Sequence, residues 1–270
     1  MIFTLNVGNT HTSLMGWRRD TPPWRVRWLT KQTVPASVFR KLNANKGARL
    51  LVSSVVPAVW KALQTSWKKL DLQTVSIRDA SKWDLTIAPR PSSHVGADRI
   101  AAAFGAIFLD RSRSWIVVDS GTAMTINAVS APKTGPARFE GGLIVPSAEL
   151  ALRALATGTA QLPHVSLGNF AAVRSSVIGR NTRQALRVGA FHAQLAAAIQ
   201  LASAQMREIG GRCGVVLTGG MSRDIAYASA FIAGFKRGVA RVEPDLVHRG
   251  LLAGALACEF GRPAPRAKQR

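Results

Sequence analysis

Three observations predict a two-lobed α/β fold built by duplication. First, an apolar stretch from Trp115 to Val118 runs into the carboxylate of Asp119, a Gly121-Thr122 turn follows, and a second apolar segment runs from Ile126 to Val129. That layout gathers a carboxylate, backbone N–H groups and hydroxyls at one tight hairpin, which suits phosphate oxygens together with a metal ion. Second, the N-terminus repeats it: Phe3-Thr4-Leu5-Asn6-Val7 leads into Gly8-Asn9-Thr10, and another strand runs from Ser13 to Trp17. Two copies of one phosphate hairpin point to a duplicated nucleotide-binding fold. Third, each half begins with strands and continues with alternating helix and strand, which implies two lobes with a nucleotide cleft between them.

The elements follow in order. Ile2 to Val7, Ser13 to Trp17 and Arg25 to Thr30 read as successive strands, and Val34 to Asn43 as a helix. Arg49 to Ser54 is a short apolar strand, and Pro57 to Lys69 a helix with proline at its start, where the missing N–H costs nothing. Thr74 to Ile77 reads as a strand, Ala80 to His94 as irregular, proline-containing chain, and Ala97 to Leu109 as an alanine-rich helix. In the second half two strands flank the Asp119 turn, Ala148 to Ala156 and Thr182 to Ala204 are helical, Gly214 to Leu217 is a strand ending in Thr218-Gly219-Gly220, and Leu251 to Phe260 closes the fold as a helix. The expected organisation is one lobe over 1–112, a second over 113–260, and a basic tail over 261–270.

Composition narrows the function classes. At 47% hydrophobic residues the 270-residue chain carries a real core, and no apolar run reaches the length of a membrane span. Met1 to Asn9 lacks a basic segment followed by a long apolar one, so a cytoplasmic protein is expected. Cys213 and Cys258 form no CxxC pair and read as buried thiols. The net charge of +22 raises the question of a polyanion partner, but the lysines and arginines are scattered through every region. Solvated surface cations are favoured over a nucleic-acid site.

Eight short blocks stand in sequence order: Gly8-Asn9-Thr10, Ser53-Ser54-Val55-Val56-Pro57, Gly96-Ala97-Asp98-Arg99-Ile100, Asp119 to Ala123, Gly141 to Pro146, Ile178 to Thr182, Leu217 to Gly220, and Pro244-Asp245-Leu246 with Gly250-Leu251. Together they make the chain resemble the type III pantothenate kinase family, which includes the Bvg accessory factors and lies in the acetate-and-sugar-kinase/actin superfamily. The resemblance implies an actin-like, ribonuclease-H-like fold and transfer of the ATP γ-phosphate to the primary hydroxyl of pantothenate. It further implies Mg²⁺, a monovalent cation (K⁺ or NH₄⁺) and a homodimer. The scarcity of charge on Ala196 to Ala204 fits a helix covered by a partner.

Roles carry over position by position as implications of that resemblance. Asp98 is the expected general base, which suits a reaction that gains most from positioning and charge stabilisation. Arg99 is expected on the pantothenate carboxylate, with Gly96, Ala97 and Thr182 also lining the acceptor. Asn6, Gly8, Asn9, Thr10, Gly121 and Thr122 are expected around the ATP phosphates, Gly219 and Gly220 against the adenosine, and Asp119 on the monovalent cation. The bland alternatives are a helix-start carboxylate for Asp98, an ordinary turn for Asp119 to Gly121, and a helix-start residue for Thr182. The chain departs from the family pattern at several places: Asn6 and Asn127 stand where aspartates are usual, Ser147 stands where a glycine is usual, the spacing from Pro91 to Gly96 is one residue longer than expected, and no tyrosine precedes Gly96 in the Thr86 to His94 stretch. Those departures leave two alternatives beside pantothenate kinase: a regulator on the same scaffold, and a kinase for a different hydroxyl acceptor.

Overall fold

The computed structural model describes residues 1–19, 21–80, 85–131, 134–168, 173–174 and 176–260. The expected basic tail lies outside them, and so does the side chain of Cys258. The chain divides into two compact units. The first comprises Met1–Ser112, Ala131–Glu140 and the segment from Leu246 onward; the second comprises Arg113–Ser130 and Gly141–Asp245. The expected lobes are 1–112 and 113–260; here residues 131–140 and the closing helix group with the first unit.

The first unit contains a five-stranded sheet in the order β3-β2-β1-β4-β5. Its strands are β1 (Ile2–Val7), β2 (His11–Trp17), β3 (Trp24–Leu29), β4 (Arg49–Ser54) and β5 (Gln73–Ser76). β1 and β2 are antiparallel, joined by the Gly8 to Thr10 turn; β4 then pairs with β1 in parallel after the crossover helix α1 (Ala36–Asn43). Strand alternation sorts the side chains. Phe3, Leu5 and Val7 lie in a core with Val38 and Leu42 of α1 and Leu63 and Trp67 of α2 (Pro57–Trp67). Thr4 and Asn6 take the opposite face, where the closing helix α8 (Leu246–Phe260) reaches Thr4.

The stretch expected to be irregular is partly ordered. α3 (Ile77–Ala80) follows β5, β6 (Leu85–Ile87) pairs in parallel with the start of β9, and a 3₁₀ turn spans Ser92–His94. α4 (Ala97–Leu109) has its Ile100 to Ile107 stretch buried, and α8 packs along it. The two backbones approach closely: a Cβ on Gly250 would collide with the Ala101 carbonyl, and one on Gly105 with the Leu246 carbonyl. Glycine at both positions lets the two backbones touch.

The second sheet has the order β11-β10-β7-β8-β9-β6. β7 (Ser114–Ser120) and β8 (Ala123–Ser130) form the antiparallel hairpin, β10 (Cys213–Thr218) pairs with β7 in parallel, and β11 (Ala240–Val242) pairs with β10. Ile116, Val118, Met124, Ile126 and Ala128 line one core with α5 (Ala148–Gly158), α6 (Thr182–Ile209) and α7 (Ile225–Ala233). β9 (Ala137–Pro146), α7 and β11 were not anticipated from sequence. The Gly141-Gly142 pair in β9 looks like a turn in one dimension. In the fold, a Cβ on Gly142 would come within 2.7 Å of the Asn127 Cα, so the glycine permits close strand approach. Cys213 is half-buried rather than buried, and burial pushes its thiol up to about 11.

Candidate active site

The first hairpin is a tight, fully bonded turn. Gly8 N–H donates to the His11 carbonyl (3.0 Å), Thr30 Oγ1 donates to the Gly8 carbonyl (2.6 Å), and Thr30 N–H donates to the Thr10 carbonyl (2.9 Å). Strand β3 thus braces the turn and leaves Asn9 and Thr10 exposed at its tip. Asn6 precedes the turn, opposite Ser13 on β2 and Ser53 on β4. Asn6 Oδ1 and Ser53 Oγ are both buried, and neither has a hydrogen-bond partner among the described residues. A buried polar atom of that kind costs free energy unless a ligand or water meets it.

In the same unit α4 begins at the Gly96 block. Asp98 Oδ1 accepts from the Arg99 backbone N–H at 2.8 Å. A Cβ on Gly96 would stand 2.6 Å from that oxygen, so the glycine makes room for the carboxylate. Burial raises the Asp98 pKa above the usual carboxylate range; its bonds to backbone N–H groups and the charges of Arg99 and Arg78 pull the other way without cancelling it. Arg78, on α3, donates to the Ser92 carbonyl (3.5 Å) and to the Val95 carbonyl, holding the loop that enters α4. The Arg99 guanidinium stacks over Phe139 at 5.4 Å, and burial lowers its pKa while Asp98 opposes the shift. Gly96, Ala97, Asp98 and Arg99 are therefore brought together at one helix start. Arg78 and Phe139, which brace them, were missed because neither lies near the block in sequence.

In the second unit the hairpin turns at Ser120 to Thr122, where Gly121 N–H donates to the Ala123 carbonyl (3.2 Å). Ser147 Oγ caps α5 and also donates to the Thr122 carbonyl (2.7 Å), fixing the turn to the helix start. Asp119 lies opposite Thr125 on β8 and Thr218 on β10, so these three share one sheet face with Asn127. Gly219 follows at φ +92, and a Cβ there would collide with Asp119 Oδ1 and lie 2.6 Å from the Ser120 carbonyl oxygen. Sequence reading assigned Asp119 and Gly219 to separate tasks; here they touch. Asn127 is fully buried and its Nδ2 donates to Thr125 Oγ1 at 2.9 Å.

Beneath this turn, Gln194 Nε2 donates to Ser120 Oγ (2.5 Å) while its Oε1 accepts from Ala148 N–H (2.5 Å). Gln194 thus ties the hairpin to α5 from α6, a role invisible in sequence because glutamine on a helix is normally solvated. Tyr227 is fully buried here, and burial pushes its phenol up to about 12. Thr182 is the first residue of α6 and exposed; Asn181 caps that helix by accepting from Gln184 N–H (2.9 Å). A Cβ on Gly179 would collide with Ala185, so that glycine packs the loop onto the helix. Gly220 is exposed and opens a 3₁₀ turn, Gly220–Arg223, that buries Ser222.

No group of three or more His, Cys, Asp or Glu side chains is placed to hold a metal among the described residues. No helix among the described residues is long and apolar enough to cross a membrane.

The two-unit α/β architecture, with a strand-turn-strand hairpin in each sheet, is that of the actin-like fold. The chain is similar over 99% of its length to the activator of 2-hydroxyisocaproyl-CoA dehydratase from Clostridium difficile, solved with bound ADPNP (TM-score 0.50, 15% identity, 99% of that chain). It is also similar to the ethanolamine utilization protein EutJ from Carboxydothermus hydrogenoformans (TM-score 0.51, 13% identity, 92% of this chain and 88% of that one). At such identities the likeness concerns the fold alone. Sequence resolves the family: the profile described as type III pantothenate kinase matches residues 2–204. Type III pantothenate kinases of Desulforapulum autotrophicum (31% identity; 86% of this chain, 90% of the relative) and Legionella pneumophila strain Corby (30% identity; 95% and 98%) align over most of both chains. The chain belongs to the type III pantothenate kinase family.

Proposed function

We propose that this chain transfers the γ-phosphoryl group of ATP to the primary hydroxyl of pantothenate, the first step of coenzyme A synthesis. The family assignment sets the reaction class, and the observation that carries the residue-level reading is Asp98. Its carboxyl is held by burial above the usual range, with one oxygen tied to a backbone N–H and room made for it by Gly96. A carboxylate poised in this way accepts a hydroxyl proton as the nucleophile forms. Phosphoryl transfer asks little more of a base than alignment. Arg99, oriented by Phe139, offers a fork of donors to the acceptor's carboxylate, and Gly96, Ala97 and Thr182 complete our acceptor set.

Around ATP we assign the two hairpins, Asn6 to Thr10 and Gly121 to Thr122, to the phosphates and Gly219 with Gly220 to the adenosine. A potassium or ammonium ion beside Asp119 would add positive charge near the phosphate oxygens. Magnesium would arrive with ATP, and Asn6 Oδ1, buried and without a partner among the described residues, is the protein oxygen we assign to its hydration shell. We further place the protein in the cytoplasm as a homodimer, the state its family resemblance implies.

A second acceptor remains in play for one reason: Tyr227 is the only tyrosine of the chain and it is fully buried in the second unit's core. It cannot supply the pocket tyrosine that family members carry before the Gly96 block. An ATP-coupled assay across pantothenate and a panel of hydroxyl compounds, with the product identified by mass, tests the proposal. Pantothenate-stimulated, magnesium-dependent turnover is expected. Turnover stimulated only by another hydroxyl compound would transfer the assignment to that acceptor, and retention on DNA without turnover would favour a regulator.

A further inference from the structure

We infer that His248 is a positioning residue for the first phosphate hairpin, acting through Ser13. This rests on the assignment of that hairpin to ATP phosphates. The block Pro244-Asp245-Leu246 with Gly250-Leu251 has no role in the reading above, yet its helix occupies a structurally central place. α8 presses its backbone against α4, the helix that begins with Asp98, through Gly250 on Ala101 and Leu246 on Gly105. Between those two contacts it buries one polar side chain, His248, at 6% exposure against the polar face of the sheet.

Both imidazole nitrogens are engaged there. Nδ1 lies 2.9 Å from Thr4 Oγ1, and Nε2 lies 2.8 Å from Ser13 Oγ. Thr4 Oγ1 also accepts from Trp17 Nε1 at 2.9 Å, so the Thr4 link is shared with a second donor. Ser13 stands directly opposite Asn6 on the neighbouring strand. The imidazole is therefore a bridge between the helix that abuts α4 and the strand pair that ends in the Gly8 to Thr10 turn. The imidazole holds two hydrogen-bonding nitrogens at a fixed separation on one rigid ring, which suits it to that bridge. Leucine at this position would fill comparable space but strand two hydroxyls on a buried face.

The two ring nitrogens can be tested separately in the full-length protein. His248→Gln keeps a polar atom near the Nε2 position, facing Ser13. His248→Asn keeps one near the Nδ1 position, facing Thr4. Ser13→Ala removes the same link from the other side. Affinity for a non-hydrolysable ATP analogue with magnesium, KM for ATP, KM for the acceptor and the melting temperature are measured for each. We expect His248→Asn and Ser13→Ala to weaken nucleotide affinity about tenfold, the size of one well-made buried hydrogen bond, with acceptor KM unchanged. His248→Gln should recover most of that loss, and the His248→Asn, Ser13→Ala double variant should be no worse than either single one. Equal behaviour of the Asn and Gln variants, or a fall in melting temperature with nucleotide affinity intact, would overturn the inference and leave His248 as a packing residue. If His248→Asn does not fold, Ser13→Ala, which loses only a hydroxyl, decides alone. A wild-type protein that binds the analogue but does not phosphorylate pantothenate would remove the acceptor assignment while leaving the affinity series intact. One that binds no nucleotide would overturn the inference.

Discussion

The two hairpins share a strand-turn-strand order and differ in turn closure, Gly8 N–H to the His11 carbonyl in the first and Gly121 N–H to the Ala123 carbonyl in the second, and in the residue that precedes the turn. In the second, Asp119 keeps its carboxylate, with glycine at 219 leaving it room and the Ser120 carbonyl close by. In the first, Asn6 presents a neutral oxygen, buried and without a hydrogen-bond partner among the described residues, beside Ser53 in the same condition. Turn length and charge both differ between the copies: residues 8–11 lie between the paired Val7 and Thr12, and residues 121–123 between the paired Ser120 and Met124. On the proposed assignment of both turns to phosphates, backbone donors would carry that contact, and the side chain at position 6 or 119 would set which cation accompanies it. A carboxylate can hold an ion directly. A carboxamide oxygen can meet an ion or its hydration water but brings no negative charge to it.

Four substitutions test that contrast, beginning with the largest expected effect. Asp98→Asn sets the floor against which either hairpin is judged. It should reduce phosphorylation by about 10²–10⁴ while nucleotide binding persists, read by initial rates and analogue titration. The same change should raise stability at neutral pH. A carboxyl whose folded pKa is raised favours folding below its ordinary range and loses that contribution as pH climbs through the folded value. Asparagine at 98 carries no such loss, so the variant's melting temperature should exceed the wild type's at pH 7 and converge with it in acid. The wild-type rate should fall on the acid side at a pH above the usual aspartate range. Turnover equal to wild type would reduce Asp98 to a helix-start carboxylate.

Asp119→Asn converts the second hairpin into the chemical state of the first. A rate loss of about 10²–10³ is expected, with the response to potassium or ammonium abolished. A variant still activated by those ions would show that the contrast between the hairpins has nothing to do with the monovalent cation. Gly219→Ala leaves every charge in place and attacks the room beside Asp119 instead. With φ at +92 and a Cβ driven into the Asp119 carboxylate, it should cost about 1–3 kcal/mol of stability, visible in thermal or urea melts.

Asn6→Asp is the smallest expected effect and the reciprocal of Asp119→Asn. Restoring an anion beside the magnesium shell should lower the magnesium concentration for half-maximal rate about two- to fivefold, the scale of one partly exposed charge pair. Because the Asn6 oxygen is buried without a partner, the new carboxylate could instead be held protonated by desolvation. A magnesium titration identical to the wild type's would mean that position 6 does not sense the metal.

Much of the frame was legible in one dimension. Apolar runs of alternating type broken by Gly-Asn-Thr and Ser-Gly-Thr specify the two hairpins locally, since turn chemistry and strand pattern act over a few residues. The Gly96 block gathers at the start of α4 because a helix start is likewise a local event. β9 escaped because its glycines serve a neighbouring strand rather than a turn, and α7 and β11 because short elements carry too few periods to register. The joining of Leu246–Phe260 to the first unit could not be read at all: it depends on Gly105 and Gly250 meeting face to face across most of the chain.

By itself the sequence determined the family, the hairpins and the identity of the base candidate, because these depend on residue type at short spacing. Only the tertiary structure decided that Gly219 lies against Asp119, that Gln194 holds Ser120, that Phe139 orients Arg99, and that His248 spans Thr4 and Ser13. Each of those pairs is far apart along the chain and joined by strand register or helix packing. The free energy that selects them is spread over whole buried faces rather than carried by the residues that meet.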